Sequence, residues 1–131
     1  SEKNGNYFQS KSGGPLVQHA LVALLELYHQ GHFPLEKIVE KTSHHVAEIY
    51  RIVDRGYIRE GYFADFVLVD LNDKWKSTPD LNLYKCGWSP FDNHTFSSKV
   101  IQTYVNGYLA FDRGTLNDSL TGDRLLFEKY R

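Results

Sequence analysis

The chain has 131 residues, 41% hydrophobic and 15% aromatic, with 15 basic and 16 acidic side chains for a net charge of −1. This composition supports a packed core and excludes disorder, while the interspersed, balanced charges exclude a basic footprint for nucleic acid or an anionic membrane. A complete eight-stranded α/β barrel needs at least about 200 residues, more than are present.

Residues 1–14 are polar and glycine-rich, and Ser10-Lys11-Ser12-Gly13-Gly14 has no periodicity, so the chain opens on a loop. Pro15 suits a first helical turn, where its missing N–H is harmless. The apolar residues from Leu16 to Tyr28 predict a helix from Pro15 to Gln30, apolar on more than one face and ended by Gly31. A shorter helix is expected from Pro34, carrying Leu35, Ile38 and Val39. A third follows Thr42-Ser43, where a hydroxyl would cap the first turn, and carries Val46, Ile49, Tyr50 and Val53.

The pattern then changes. Phe63 to Leu71 and Lys99 to Phe111 are rich in aromatic and β-branched residues and predict strands. Asn106-Gly107 predicts a tight hairpin, because both positions tolerate positive φ. Tyr108 to Asp112 would be the returning strand, with Arg113-Gly114 turning the chain again. The connection from Asn72 to Ser98 is long and irregular, and Trp75, Trp88 and Phe91 are its expected aromatic anchors. Leu125-Leu126-Phe127 would be a last strand or a tail docked on the sheet. No apolar run approaches the roughly 20 residues of a membrane span. One cysteine, Cys86, cannot form an internal disulfide and predicts a reducing, cytoplasmic setting.

The six histidines lack metal-ligand spacing. His44 and His45 are adjacent, and neighbours on a helix diverge. His29 and His32 straddle Gly31, and there is no H-x-H, H-E-x-x-H or C-x-x-C. Solvated or hydrogen-bonded roles are therefore expected, with no metal site. Cys86 has no assignable base partner, and Ser12, Ser89 and Ser98 lack the strand-elbow-helix context of a catalytic serine. Gly13-Gly14 before a helix start could present free N–H groups to an anion, although two glycines alone read as a simple turn.

Two runs carry more information. Gly56-x-Ile58-x-x-Gly61-x-x-Ala64-Asp65-x-Val67-x-x-Asp70 resembles a strand-turn-strand signature near the end of amidohydrolase-superfamily enzymes. Lys85-Cys86-Gly87-Trp88-Ser89-Pro90-Phe91, followed by Val100, Thr103, Val105, Asn106 and Gly107, is similar to the dihydroorotase branch of cyclic amidases. Asn93 stands where that pattern often has Gly, and Asn also tolerates a left-handed turn.

The resemblance implies an α+β fragment. Residues 1–55 would be the active-site loop and last helices of a TIM-type α/β barrel, and residues 56–131 the C-terminal part of a small composite β-sandwich domain. The implied reaction of the full-length enzyme is zinc-dependent, reversible hydrolysis of dihydroorotate to N-carbamoyl-aspartate in pyrimidine synthesis. Allantoinase, dihydropyrimidinase and a non-catalytic assembly subunit are the alternatives. None of the family's metal ligands has a counterpart here, so the fragment alone is expected to be inactive and without cofactor. By its place before the first helix, the loop around Ser12 and Gly13 would contact the small-molecule substrate. The missing strand partners predict self-association, or pairing with the N-terminal part, through strand edges and the helix surface bearing Leu21, Leu24, Leu25 and Tyr28.

Overall fold

In the computed structural model, which describes residues 5–10, 12–119 and 121–129, the first helix begins at Ala20 and not at Pro15. Lys11 and residues 1–4 of the expected opening loop lie outside the described residues. Helix α1 spans Ala20–His29. The chain turns just before it, with His19 N–H donating to Leu16 C=O at 3.0 Å, and tertiary bonds to Gln18 and His19 fix that turn in place of a helical one. The C-terminus ends as expected at Gly31, φ 75°. His32 N–H reaches back to Leu27 C=O and Gly31 N–H to Tyr28 C=O, both at 2.9 Å, which closes a Schellman motif.

The second and third expected helices form one continuous run. Helix α2, Leu35–Val39, passes through a π turn, Glu40–His44, into α3, His45–Tyr50. The proposed cap at Thr42-Ser43 is therefore wrong. Thr42 Oγ1 donates back to Ile38 C=O at 2.8 Å, a bond that belongs inside a helix, and Ser43 Oγ donates to Gly56 C=O at 2.9 Å. Within the π turn, Glu40 gathers Lys37 and Lys41, and the Lys37 hydrogen bond holds its carboxyl below the usual range. Arg51, at φ 53°, stops the helix.

Strands follow: β1 Phe66–Asp70, β2 Trp75–Lys76, β3 Thr95–Phe96, β4 Lys99–Val105, β5 Tyr108–Asp112 and β6 Thr115–Leu116. Four of them make an antiparallel sheet in the order β1-β4-β5-β6, and β2 pairs with β3. The β4–β5 hairpin turns on Asn106 and Gly107, φ 52° and 81°, and the β5–β6 hairpin on Arg113 and Gly114, φ 44° and 95°. Positive φ at both central positions matches the right-handed twist of the flanking strands. Phe66 pairs with Tyr104 across β1 and β4, their rings stacked at 4.6 Å, which pins the register. Register shifts at Leu68/Val69 and at Thr103/Tyr104 place bulges on either side of β4.

The segment between β1 and β4 is organised by an aromatic that the sequence reading did not single out. Phe96 is fully buried and touches the rings of Trp75, Phe91 and His94. Trp75 and Phe91 do act as anchors. Trp88 is half-buried, and its Nε1 is shielded from solvent with no hydrogen-bond partner. The tail carrying Leu125, Leu126 and Phe127 docks beside α3 and not on the sheet: Val53 N–H donates to Leu126 C=O and Glu128 N–H to Arg51 C=O, with Phe127 bridging Ile52.

The helix surface expected to associate is partly covered within the chain. Leu25 of α1 is buried, and Leu21, Leu24 and Tyr28 are half-buried; α1 packs against α2 and the β3 region, where Glu26 accepts from Ser97 N–H and Oγ. The most exposed apolar groups of α3 and β1 are instead Ile49, Tyr50, Val67 and Leu68. No helix among the described residues is long and apolar enough to cross a membrane.

Candidate functional site

Ser12 and Gly13 lie on an exposed loop, with Gly13 at φ 80° and open space where its Cβ would be. The helix start they were expected to adjoin is several residues further on, at His19-Ala20. An anion held by Gly13-Gly14 would therefore not sit on a helix N-terminus, and that part of the reading is corrected. What remains is a loop whose exit from the fold is fixed at Gln18 and His19.

That fixation is dense. Gln18 N–H donates to Tyr84 Oη at 2.9 Å, Gln18 Nε2 to Leu81 C=O at 2.9 Å, and Leu83 N–H to Gln18 Oε1 at 2.9 Å. The next residue, His19, is 1% exposed. Its Nε2 lies 3.2 Å from Ser77 Oγ, and its Nδ1 lies 3.1 Å from Tyr84 Oη and 3.3 Å from Ser89 Oγ. Trp75 and Phe96 stack on the ring, and Tyr84 and Phe91 tilt against it. Burial pushes the imidazole pKa below its ordinary value, opposed by the charge of Asp92. Asp92 is itself occupied, accepting from Asn82 Nδ2 at 2.8 Å and from Ser89 N–H at 3.1 Å.

A second polar hub sits under the sheet turn. Arg55, 8% exposed, pairs through Nη1 with Asp65 Oδ2 and donates from Nη2 to Asn106 Oδ1 at 2.8 Å, with its guanidinium 4.1 Å from the centre of the Phe63 ring. Asp65 Oδ1 accepts from Asn106 N–H at 2.7 Å. Two distant motifs, the Ala64-Asp65 dipeptide and the Asn106-Gly107 turn, are thus joined by one arginine.

His29, His44 and His45 take separate partners, and His94 packs on Phe91 and Phe96. His29 Nε2 contacts Ser98 Oγ at 2.8 Å, His44 stacks on Tyr57 at 4.2 Å, and His45 Nε2 lies 3.2 Å from Glu40 Oε1. Ser98 Oγ donates to Leu71 C=O and is fully buried, while Cys86 is exposed with its Sγ 3.6 Å from Trp88 C=O. Among the described residues no group of three or more His, Cys, Asp or Glu is placed to hold a metal ion. Sequence reasoning missed both His19 and Arg55. The available signal was a titratable residue inside or beside an apolar run, His19 within Leu16 to Tyr28 and Arg55 directly before Gly56.

Residues 5–110 match the Amidohydrolase family. An allantoinase of Desulfitobacterium hafniense is 36% identical over 124 residues, 94% of this chain and 28% of that protein. A dihydroorotase of Pyrococcus abyssi is 30% identical over 117 residues, 89% of this chain and 29% of that protein. The chain therefore spans less than a third of these relatives. Among solved structures, the dihydropyrimidinase of Brevibacillus agri superposes with a TM-score of 0.80 at 22% identity, covering 85% of this chain and 24% of that one. The L-hydantoinase of Arthrobacter aurescens gives 0.74 at 24% identity, covering 86% and 25%. These two show a shared fold.

Proposed function

The chain belongs to the amidohydrolase family, and we propose that it is the C-terminal segment of a metal-dependent cyclic amide hydrolase acting as a dihydroorotase. The observation that supports this reading is the family match across residues 5–110, which takes in the loop before α1, the helices and most of the sheet. On this reading residues 1–55 close the barrel domain and residues 56–131 complete a composite β-domain. The loop with Ser12 and Gly13 would offer backbone groups to a carboxylate-bearing substrate.

Zinc, the metal implied for the full-length enzyme, does not fit the described residues, among which no group of three or more His, Cys, Asp or Glu is placed to hold it. His19 has both ring nitrogens engaged by hydroxyls, and His29, His44 and His45 point to separate partners. The segment's own contributions are to position the loop and to support the sheet.

Allantoinase is the second reading, favoured by the 36% identity over 94% of the chain. The Lys85-Cys86-Gly87-Trp88-Ser89-Pro90-Phe91 run favours dihydroorotase. The test is a substrate panel of dihydroorotate, allantoin and a dihydropyrimidine on the intact protein containing this segment. Turnover of dihydroorotate above the others supports the first reading, preference for allantoin supports the second, and no turnover of any favours an assembly role. The segment alone with added zinc should turn over none of them.

A further inference from the structure

We propose that His19, as a neutral imidazole protonated on Nε2, is a positioning residue that latches the loop containing Ser12 and Gly13 to the 77–91 segment. The tautomer follows from what the surrounding hydroxyls already accept. Tyr84 Oη accepts from Gln18 N–H at 2.9 Å, and Ser89 Oγ accepts from Phe91 N–H at 3.2 Å. Each keeps its hydroxyl proton and one further lone pair, and both oxygens converge on Nδ1, at 3.1 and 3.3 Å. Two hydroxyl protons converging on one ring nitrogen favour Nδ1 as the acceptor, which leaves Nε2–H to donate to Ser77 Oγ, 3.2 Å away.

Protonation would make Nδ1 a donor, oblige the Tyr84 and Ser89 hydroxyls to turn their protons away from it, and place a charge inside a cage of Trp75, Phe91 and Phe96. The titratable groups facing the ring from the packed segment are Tyr84 and Asp92, and His94 packs on Phe91 and Phe96. Asp92 already accepts from Asn82 and Ser89, so it offers a distant charge and not a direct partner. On the helix side, Glu26 is committed to Ser97.

The latch matters because of what lies before it. Gly13 and Gly14 meet no neighbours where a Cβ would stand, and Ser12, Leu16 and Val17 are exposed. The direction in which the loop leaves the fold is set where Gln18 and His19 are bound. The catalytic consequence rests on the loop reading given under Proposed function, whereas the latch itself does not.

The experiment uses the intact protein, with Tyr84→Phe as first variant because it removes one hydroxyl and keeps the ring. His19→Phe is the second variant, keeping the aromatic fill without the hydrogen bonds. Three quantities are measured: the ring tautomer by long-range nitrogen–proton NMR, amide exchange across residues 12–18, and kcat and KM. The expected result is the Nε2–H tautomer, faster exchange across 12–18 in both variants, and KM raised about threefold to tenfold with kcat little changed, since the loop binds ground and transition states alike. Unchanged exchange in Tyr84→Phe, or a ring protonated on Nδ1, would overturn the latch. Faster exchange with KM unmoved upholds the latch and refutes substrate contact by Ser12 and Gly13.

Discussion

Replacing Gly56 by alanine tests how the Gly56-x-Ile58-x-x-Gly61 motif works, because its two glycines share a backbone conformation and differ in their surroundings. Gly56 has φ 85° and Gly61 has φ 84°. A Cβ at Gly56 would lie 2.5 Å from the Ala47 Cβ and 3.1 Å from Ser43 C=O, whereas a Cβ at Gly61 would meet nothing within 4 Å. Left-handed backbone alone costs a non-glycine residue roughly 1–2 kcal/mol. Forcing extra volume against packed neighbours adds about 1–3 kcal/mol. Ala47 is buried on α3 and Ser43 Oγ is bonded to Gly56 C=O, so neither can withdraw cheaply. Gly56→Ala should therefore destabilise by about 2–5 kcal/mol and Gly61→Ala by about 1–2 kcal/mol. A urea titration of the intact protein, followed through Trp75 and Trp88 fluorescence, measures both. Equal losses in the two variants would refute the close-approach argument, and a loss below about 0.5 kcal/mol at Gly56 would refute the strain argument as well.

Asp65→Ala removes the carboxylate partner of Arg55, whose side chain is 9% exposed, and should destabilise by about 3 kcal/mol, the low end for breaking a buried pair because Asp65 keeps 29% exposure; a loss under about 1 kcal/mol by denaturant titration would mean water replaces the partner. Phe96→Ala should lose about 3–5 kcal/mol, and Trp88→Phe should be close to neutral, since the Trp88 Nε1 it deletes has no partner; a larger loss at Trp88 would reverse the order of the two anchors. For His19 the folded pKa lies below the ordinary 6.5, so the unfolded chain binds more protons between those values. The contribution is complete above about pH 6.5 and shrinks as pH falls toward the folded pKa. His19→Phe should flatten that part of the stability profile, and an unchanged slope would show that other groups cause it.

Much of the fold was legible because it is written in local chemistry. Asn106-Gly107 and Arg113-Gly114 turned where positive φ was needed, and Gly31 closed α1 by its own backbone bonds. The failures came where tertiary contact overrode local preference. Pro15 and the apolar residues after it are good helix-start material, yet the chain stays non-helical to His19 because Tyr84, Leu81 and Leu83 hold Gln18 from outside. Thr42 and Ser43 have capping chemistry, but a continuing helix leaves them no free first-turn N–H groups to accept, so one bonds backward and the other reaches Gly56.

The candidate site was less legible for a different reason. Hydrophobic periodicity identifies apolar residues that belong inside, and it counts a histidine or arginine as a residue that belongs outside. Such a group can be buried only when several partners, brought from far along the chain, satisfy it together. For His19 those partners are Ser77, Tyr84 and Ser89, and for Arg55 they are Asp65 and Asn106. Every one belongs to a stretch that, read alone, is a loop, a turn or a strand edge. The long connection between β1 and β4 thus has a reason to be long. It carries three hydroxyls to one ring on α1's doorstep, and in doing so ties the base of the loop that holds Ser12 and Gly13 to the aromatic core around Phe96.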